Sequence, residues 1–426
     1  MVTKNFESIA RTPLRKQALL IGEAVYEAIN TKAVIDRTVN YNEKTQLLKV
    51  AEKSFDLKKY KRVLCIGFGK VALEAVTELQ VTLKDKIVCG FVIDLKEGSL
   101  GNIVCRVGTH PYPSMVNVEA TKELLTMLSG STKDDLILFV VSGGGSSLLC
   151  SPHEMSCEVQ VSIITSLTAA GSPIRDINTV RKHISNVKGG QLAKLCYPAT
   201  VVSLIFSDVP GDDMSLVASG PTVLDTTTVQ DTKEILSRYN ILDKCGLASC
   251  TLLETPKEQK YFENVYNVIV VSSKEAMAAA KSKAEDLGWN VSVYSDRYEG
   301  NAHELGKKVV KLVERGQCLI GAGETTVIVK GHGLEGRSQA MALATLPLLN
   351  DGQVLLALAS DGQDHSDAAG ALIDSTSLKV AQKLGLDGQV YLDNNDSYHY
   401  FESTGDLVFT GLTGSNISDF FISLRN

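Results

Sequence analysis

The chain has 426 residues, of which 44% are hydrophobic and 22% charged; at roughly 150 residues per domain this excludes a single small module, and the apolar content excludes global disorder. Forty-three Lys and Arg against 49 Asp and Glu give a formal charge of -6, which offers no electrostatic footprint for nucleic acid or an anionic bilayer. Nine cysteines occur without a C-x-x-C pair, most of them inside apolar runs such as VLCIG and IVCGFVI, and predict reduced core thiols rather than a zinc knot. No apolar run reaches the ~18 residues of a membrane span. The first residues, MVTKNFESIARTPLRKQ, carry Glu7 and no apolar stretch, so a cytoplasmic location is expected, with a mitochondrial presequence as the weaker alternative.

In chain order, LRKQALLIGEAVYEAIN over 14–30 has the apolar spacing of a helix. KRVLCIG then reads as a strand that empties into glycines and a helix, KVALEAVTELQV. IVCGFVID and NIVCRV read as buried strands, followed by a helix from about Asn117 to Leu128 and the strand DLILFVV, which runs into SGGGSSLL. VVSLIF supplies a further strand ending in SDVPGDD. Hydrophobic strands alternating with helices predict an α/β fold with a mostly parallel sheet covered on both faces. The mixed stretch from about Asn240 to Glu263 is the expected boundary, dividing the chain into 1–245 and 246–426. NVIVVSS, SKEAMAAAKSKAEDLG, NVSVYS and HELGKKVVKLVERG then restart the alternation as a second α/β unit, continued by CLIGAGETTVIVKG, SQAMALATLPLLN and QVLLALASDG.

Five strand endings deliver glycines and polar residues into loops: GFGK at Gly67 to Lys70, SGGGSS at Ser142 to Ser147, SDVPGDD at Ser207 to Asp213, GAGETT at Gly321 to Thr326, and SDGQDHSD at Ser360 to Asp367. Open α/β sheets bind ligands at such ends, so the five predict one polar crevice. In SGGGSS, the backbone N–H groups and hydroxyls of Ser142, Gly143, Gly144, Gly145, Ser146 and Ser147 suit the phosphates of a nucleotide. The nucleophile elbow G-x-S-x-G is absent, which disfavours a serine hydrolase. Gly67, Gly69 and Ala72 also fit a dinucleotide fingerprint with Asp94 closing the next strand, although Lys70 puts a cation inside that turn.

Arg337 opens a helix after the glycine-rich GHGLEGRSQA, where a guanidinium is unfavourable to the helix dipole unless an anion lies there. The aspartates after two strands, Asp361 and Asp364 in one loop and Asp208, Asp212 and Asp213 in the other, are of the type that holds Mg²⁺ together with substrate phosphates; Asx-turns and caps explain such aspartates equally well. His110 in THPYPS and Arg181, Lys182 and Lys188 in NTVRKHISNVKGG add donors and cations. A structural histidine and a solvated basic helix face are the plainer readings of these two.

Taken in order, GFGK, THPYPS, SGGGSSLL, NTVRKHISNVKGGQLA, SDVPGDD, ASGPT, GAGETTV, GRSQ, SDGQDHSDAAGA and NDSYHYFESTGDLVFTGLTGSN resemble the class II glycerate 2-kinase family, whose C-terminal part is called the MOFRL domain. The resemblance runs from about Leu14 to the C-terminus. It implies a Rossmann-like N-terminal domain, a C-terminal α/β MOFRL domain, and an active site in the interdomain cleft. The implied reaction moves the γ-phosphoryl of ATP to the C2 hydroxyl of D-glycerate with Mg²⁺. The family's motif lysine and arginine fall on Lys70 and Arg337, the expected catalytic residues.

Phosphate binding is expected at the SGGGSS residues and at Gly323, Glu324 and Thr325, acid-substrate binding at His110, Arg181 and Lys182, and metal binding at Asp208 and Asp361. Ser338 stands where the family more often has Asn, and SDGQDHSD replaces the more usual DGIDGPTD, which bears on the pocket rim. Walker A, D-F-G and H-R-D motifs are absent, so the phosphate cradle differs from both common kinase types. The expected partners are ATP and a small acid, with a monomer or homodimer. The alternatives are an NAD(P)-linked hydroxypyruvate reductase, favoured by the fingerprint, and a non-catalytic sensor of sugar acids or nucleotides.

Overall fold

Short β-branched runs flanked by glycine and lysine set the strands, and their order along each sheet sets where the loops gather. The computed structural model describes residues 1–209 and 211–426. Its contacts form two units, one of Val34–Ser207 and Asp212–Val270, the other of Met1–Ala33, Asp208–Gly211 and Val271–Asn426.

The first unit opens with an antiparallel meander, β1 (Val39–Asn42), β2 (Leu47–Val50) and β3 (Lys53–Asp56). Its main sheet comprises β4 (Arg62–Phe68), β5 (Ile87–Asp94), β6 (Ile103–Val107), β7 (Asp135–Val141), β8 (Thr200–Phe206) and β9 (Val265–Val271) in the order β6-β5-β4-β7-β8-β9. The pairings from β6 through β8 are parallel. DLILFVV is buried along its whole length, as a central strand covered on both faces should be. The chain winds outward from β4 in one direction and from β7 in the other, so the strand order reverses between these two. That reversal is a topological switch point, where the loops leaving adjacent strands part and open a crevice.

The second unit carries β10 (Asn290–Tyr298), β11 (Gln317–Gly323), β12 (Gln353–Ala359), β13 (Gly370–Asp374), β14 (Leu407–Val408) and β15 (Asp419–Arg425), in the order β10-β11-β15-β12-β13-β14. Here the expected repetition of parallel alternation is corrected. Among the described residues only β10 and β11 pair in parallel, and β15 enters between β11 and β12 antiparallel to both. Residues Asp419 to Leu424 of β15 are all buried, which suits a strand in the middle of a sheet.

The units also differ from the consecutive stretches 1–245 and 246–426. β9 joins the first unit's sheet, and the helix Pro13–Ile29 belongs to the second unit. Gly22 lets that helix approach the sheet closely, since a Cβ there would meet Leu356 Cδ2 at 3.1 Å, with Leu358 and Ile422 just beyond. Arg15, fully buried on the same helix, pairs with Asp374 at 3.0 Å and Asp406 at 2.7 Å. An amphipathic N-terminal helix has no preference for the sheet that follows it in sequence. It packs where its apolar face is covered and its buried charge is met.

Candidate active site

At the switch point of the first unit, Phe68 of β4 lies beside Val141 of β7, so GFGK and SGGGSS leave neighbouring strands. The two turns are tied together through backbone. The Lys70 amide donates to the Gly143 carbonyl at 2.9 Å, and the Ser142 amide donates to the Phe68 carbonyl at 3.2 Å. The Val71 amide donates to Ser142 Oγ at 3.3 Å. Gly69 has φ +125 and a Cβ there would overlap the Ser142 side chain, so only glycine fits. Gly144 has φ +79, and its bare Cα faces the Lys70 Cγ and the His110 ring, which a Cβ would meet at 3.1 and 3.2 Å. Lys70 and His110 are thereby brought together over the triple-glycine turn. Burial, with the Lys70 ammonium adding to it, holds the His110 pKa below the ordinary value and favours a neutral ring.

Within SGGGSS the amides of Gly145, Ser147 and Leu148 already donate to carbonyls of the turn itself. Ser146 Oγ meets Ser219 Oγ at 3.2 Å, and Ser147 Oγ donates to the Pro111 carbonyl. With Ser142 Oγ accepting from the Val71 amide, all three hydroxyls expected to face phosphate are engaged with protein. Asn117, which sequence reasoning did not single out, is completely buried and fixes the THPYPS loop. Its Nδ2 donates to the carbonyls of Ser147 and Thr109, and its Oδ1 accepts the Thr109 amide.

The dinucleotide fingerprint has another use. The Asp94 carboxylate accepts the amides of Leu73, Leu95 and Lys96, so it caps the helix Ala72–Leu83 and orders the next turn. The basic stretch is not a solvated face either. Lys182 is buried and donates to Asp225 at 3.0 Å, which neutralises its charge. Lys188, 1% exposed, donates to the carbonyls of Ser146 at 2.7 Å and Leu149 at 3.1 Å, and burial lowers its pKa to about 7. Arg181 faces a cavity with Lys188.

In the second unit, Arg337 begins the helix Arg337–Thr345. The anions demanded by that position are the chain's own. Its guanidinium donates to Glu324 and, at 3.3 Å, to Asp419 Oδ1. Burial works against the charge, but Asp419 and Glu324 outweigh it and hold Arg337 above the ordinary arginine value. Asp364 accepts the amides of Ser338 at 3.1 Å and Gln339 at 2.7 Å, a cap supplied from a distant loop. Gly336 makes room for it, because any Cβ there would overlap the Asp364 carboxyl.

Burial pushes the Asp364 carboxyl up to about 6, against the pull of those two amides. Asp419 is pushed up to about 8: burial leads, Asp364 and Glu324 add to it, and Arg337 only partly offsets them. Its Oδ2 lies 3.1 Å from Arg337 Nε yet without hydrogen-bonding geometry, an orphaned buried oxygen. Tyr26, from the N-terminal helix, feels Asp361, Asp364 and Asp419 and donates to the Ala359 carbonyl.

Gly323, Glu324 and Thr325 sit at the end of β11, with the Glu324 carboxylate turned to Arg337. A cavity of about 820 Å³ runs past Thr325, Arg337, Asp361 and Asp364. Asp361 Oδ1 accepts the Gln363 amide. Ser418 links this loop to Asp208, its Oγ donating to the Asp208 carbonyl and its own carbonyl accepting the Ser360 amide. Pro210 of SDVPGDD lies outside the described residues. Among the described residues no three His, Cys, Asp or Glu side chains form a metal cage, and no helix is long and apolar enough to cross a membrane.

The sequence matches a family described as a domain of unknown function, DUF4147, over residues 17–254, and the MOFRL family over 317–419. It is 35% identical to the D-glycerate 2-kinase of Thermotoga maritima across 85% of this chain and 90% of that protein. It is 33% identical to the glycerate 2-kinase of Pyrococcus horikoshii across 95% of this chain and 96% of that protein. The crystal structure of glycerate kinase from Thermotoga maritima aligns with a TM-score of 0.85 at 31% identity, covering 97% of this chain and 99% of that one.

Proposed function

Because the chain belongs to the glycerate 2-kinase family, with relatives 35% and 33% identical over most of its length, we propose that it transfers the γ-phosphoryl group of ATP to the C2 hydroxyl of D-glycerate, giving 2-phospho-D-glycerate and ADP. One observation carries the reading beyond kinship: Lys70 lies over Gly144 where two parallel strands end at the switch point. Phosphoryl transfer needs positioning and charge neutralisation more than covalent chemistry, and a cation held over a glycine turn supplies both. Lys70 stabilises the migrating phosphoryl group, His110 binds the acid substrate as a neutral donor, and unengaged amides of the SGGGSS turn receive nucleotide phosphate. Arg337, held by Asp419 and Glu324, contributes its remaining donors to the anionic reactants.

Mg²⁺ commonly takes one or two carboxylates and completes its shell with phosphate oxygens and water, so it needs no all-protein cage. The hard carboxylate oxygens of Asp361 and Asp208, on loops that Ser418 ties together through the Ser360 amide and the Asp208 carbonyl, would hold it, and it would supply charge neutralisation on the phosphates. Asp364, whose carboxyl is raised to about 6 and so stays largely ionised at neutral pH while being more basic than a free carboxylate, is suited to take the hydroxyl proton. The reading includes a cytoplasmic location and small-molecule partners only.

Phosphorus NMR of the product formed from ATP, Mg²⁺ and D-glycerate tests reaction and position together. A phosphomonoester coupled to the C2 proton is expected. Coupling to the C3 protons would overturn the regiochemistry, and no product would overturn the activity.

A further inference from the structure

The helices Cys157–Ala169 and Ile174–His183, together with the loop Pro111 to Pro113, border a cavity of about 490 Å³ that lies wholly in the first unit. Two cations line it and no carboxylate does. The Arg181 guanidinium has no hydrogen-bond or ion-pair partner among the described residues, and burial is the one influence on its pKa, which it lowers. Lys188, fully buried, directs two of its three N–H groups to carbonyls. An uncompensated guanidinium half-withdrawn from water carries a desolvation cost, and an anion bound beside it offsets that cost.

The helix Cys157–Ala169 lines it with Val161 and Ile164 beside the polar Gln160, Thr165 and Thr168, and the ring of Tyr112, 58% exposed, adds a flat apolar surface. Ser146 and Ser147 of the triple-glycine turn border the same space. The volume falls in the range of about 300–1,000 Å³ that suits ligands of nucleotide size, far more than a three-carbon acid fills. Apolar groups and a ring for a base, two cations for negative charge, and lining residues shared with the SGGGSS turn are the features of a nucleotide pocket.

We propose that this cavity is the nucleotide subsite, with the polyphosphate against Arg181 and Lys188 and the base between Tyr112 and Ile164. Arg181 is then a nucleotide ligand and not a contact to the acid substrate. The assignment rests on the reading of the chain as an ATP-dependent kinase, and the measurements separate the two.

Calorimetry on the full chain with ADP alone, inorganic tripolyphosphate alone and D-glycerate alone, alongside steady-state kinetics, tests it in wild type and Arg181→Gln. Loss of a charge-assisted contact should raise Kd for ADP and tripolyphosphate, and KM for ATP, about tenfold or more, with the glycerate KM unchanged and partial recovery in Arg181→Lys. Ile164→Trp, which fills the proposed base site, should weaken ADP about tenfold and leave tripolyphosphate binding unchanged.

The subsite is overturned if wild type phosphorylates glycerate while a folded Arg181→Gln, checked by its melting temperature, binds ADP normally, or if its glycerate KM rises in place of its ATP KM. If wild type forms no phosphoglycerate yet its ADP binding depends on Arg181, the kinase reading falls and the subsite stands.

Discussion

The triple-glycine turn of the first unit and the helix start at Arg337 in the second handle charge in opposite ways. Around Gly144 the side chains brought together are a lysine and a histidine, and the cavity that Ser146 and Ser147 border also holds a buried lysine and an arginine with no partner among the described residues. Around Arg337 three acids, Glu324, Asp419 and Asp364, crowd one guanidinium, and burial together with Asp364 and Glu324 raises the affinity of Asp419 for a proton. Glycine is what permits close approach in both, at Gly144 for a lysine and a neutral histidine and at Gly336 for a carboxylate. The first arrangement leaves positive charge for a ligand to neutralise. The second neutralises its cation internally and leaves acids that titrate nearer to pH 7.

The sharpest way to break this contrast is to remove the cation from each side. Lys70→Ala and Arg337→Ala should each lower kcat/KM by about two decades or more, the scale of losing a charged transition-state donor. Near-normal activity in both would reject their roles.

The acid-rich side should show itself in stability against pH. Asp419 has an unfolded pKa of about 3.9 and a folded one of about 8. The stability it contributes is therefore complete below pH ~4 and lost as pH rises through ~8. Wild type should lose a few degrees of Tm between pH 5 and 8 that Asp419→Asn does not lose, read by calorimetric scans. Parallel curves for the two proteins would show that Asp419 does not titrate in this window.

A smaller effect probes the glycine side. Gly144→Ala forces a side chain into positive φ against Lys70 and His110 and should cost about 1–2 kcal/mol in urea unfolding. The smallest concerns Asp94. If it is a cap, Asp94→Ala should cost about 1 kcal/mol, and wild type should not oxidise reduced nicotinamide with hydroxypyruvate at 340 nm. Such turnover, lost in Asp94→Ala, would restore the dinucleotide reading.

On the glycine side the two turns and their adjacency were legible in the sequence, whereas the buried Asn117 that fixes the neighbouring loop was not. GFGK and SGGGSS were legible because β-branched runs ending in glycine announce strand ends, and strand-helix alternation implies that those ends share an edge. The sequence reading reached Arg337 and the need for an anion there, but not which anions. Asp419 opens a strand 82 residues away in the chain, and no local pattern connects it to the helix it serves. The basic stretch misled for the same reason. Lys182 and Lys188 look like a wet helix face until Asp225 and the carbonyls of Ser146 and Leu149 are folded against them.

By itself the sequence determined the α/β class, the strands of the parallel sheet and the turns where glycine is obligatory, because these depend on local periodicity and on backbone angles that only certain residues adopt. Tertiary structure alone decided that β15 enters between β11 and β12, that the N-terminal helix packs with the C-terminal sheet, and which acids meet Arg337. Those outcomes depend on burial of apolar faces and compensation of charge between segments far apart in the chain. Such energies exist only once the segments are in contact.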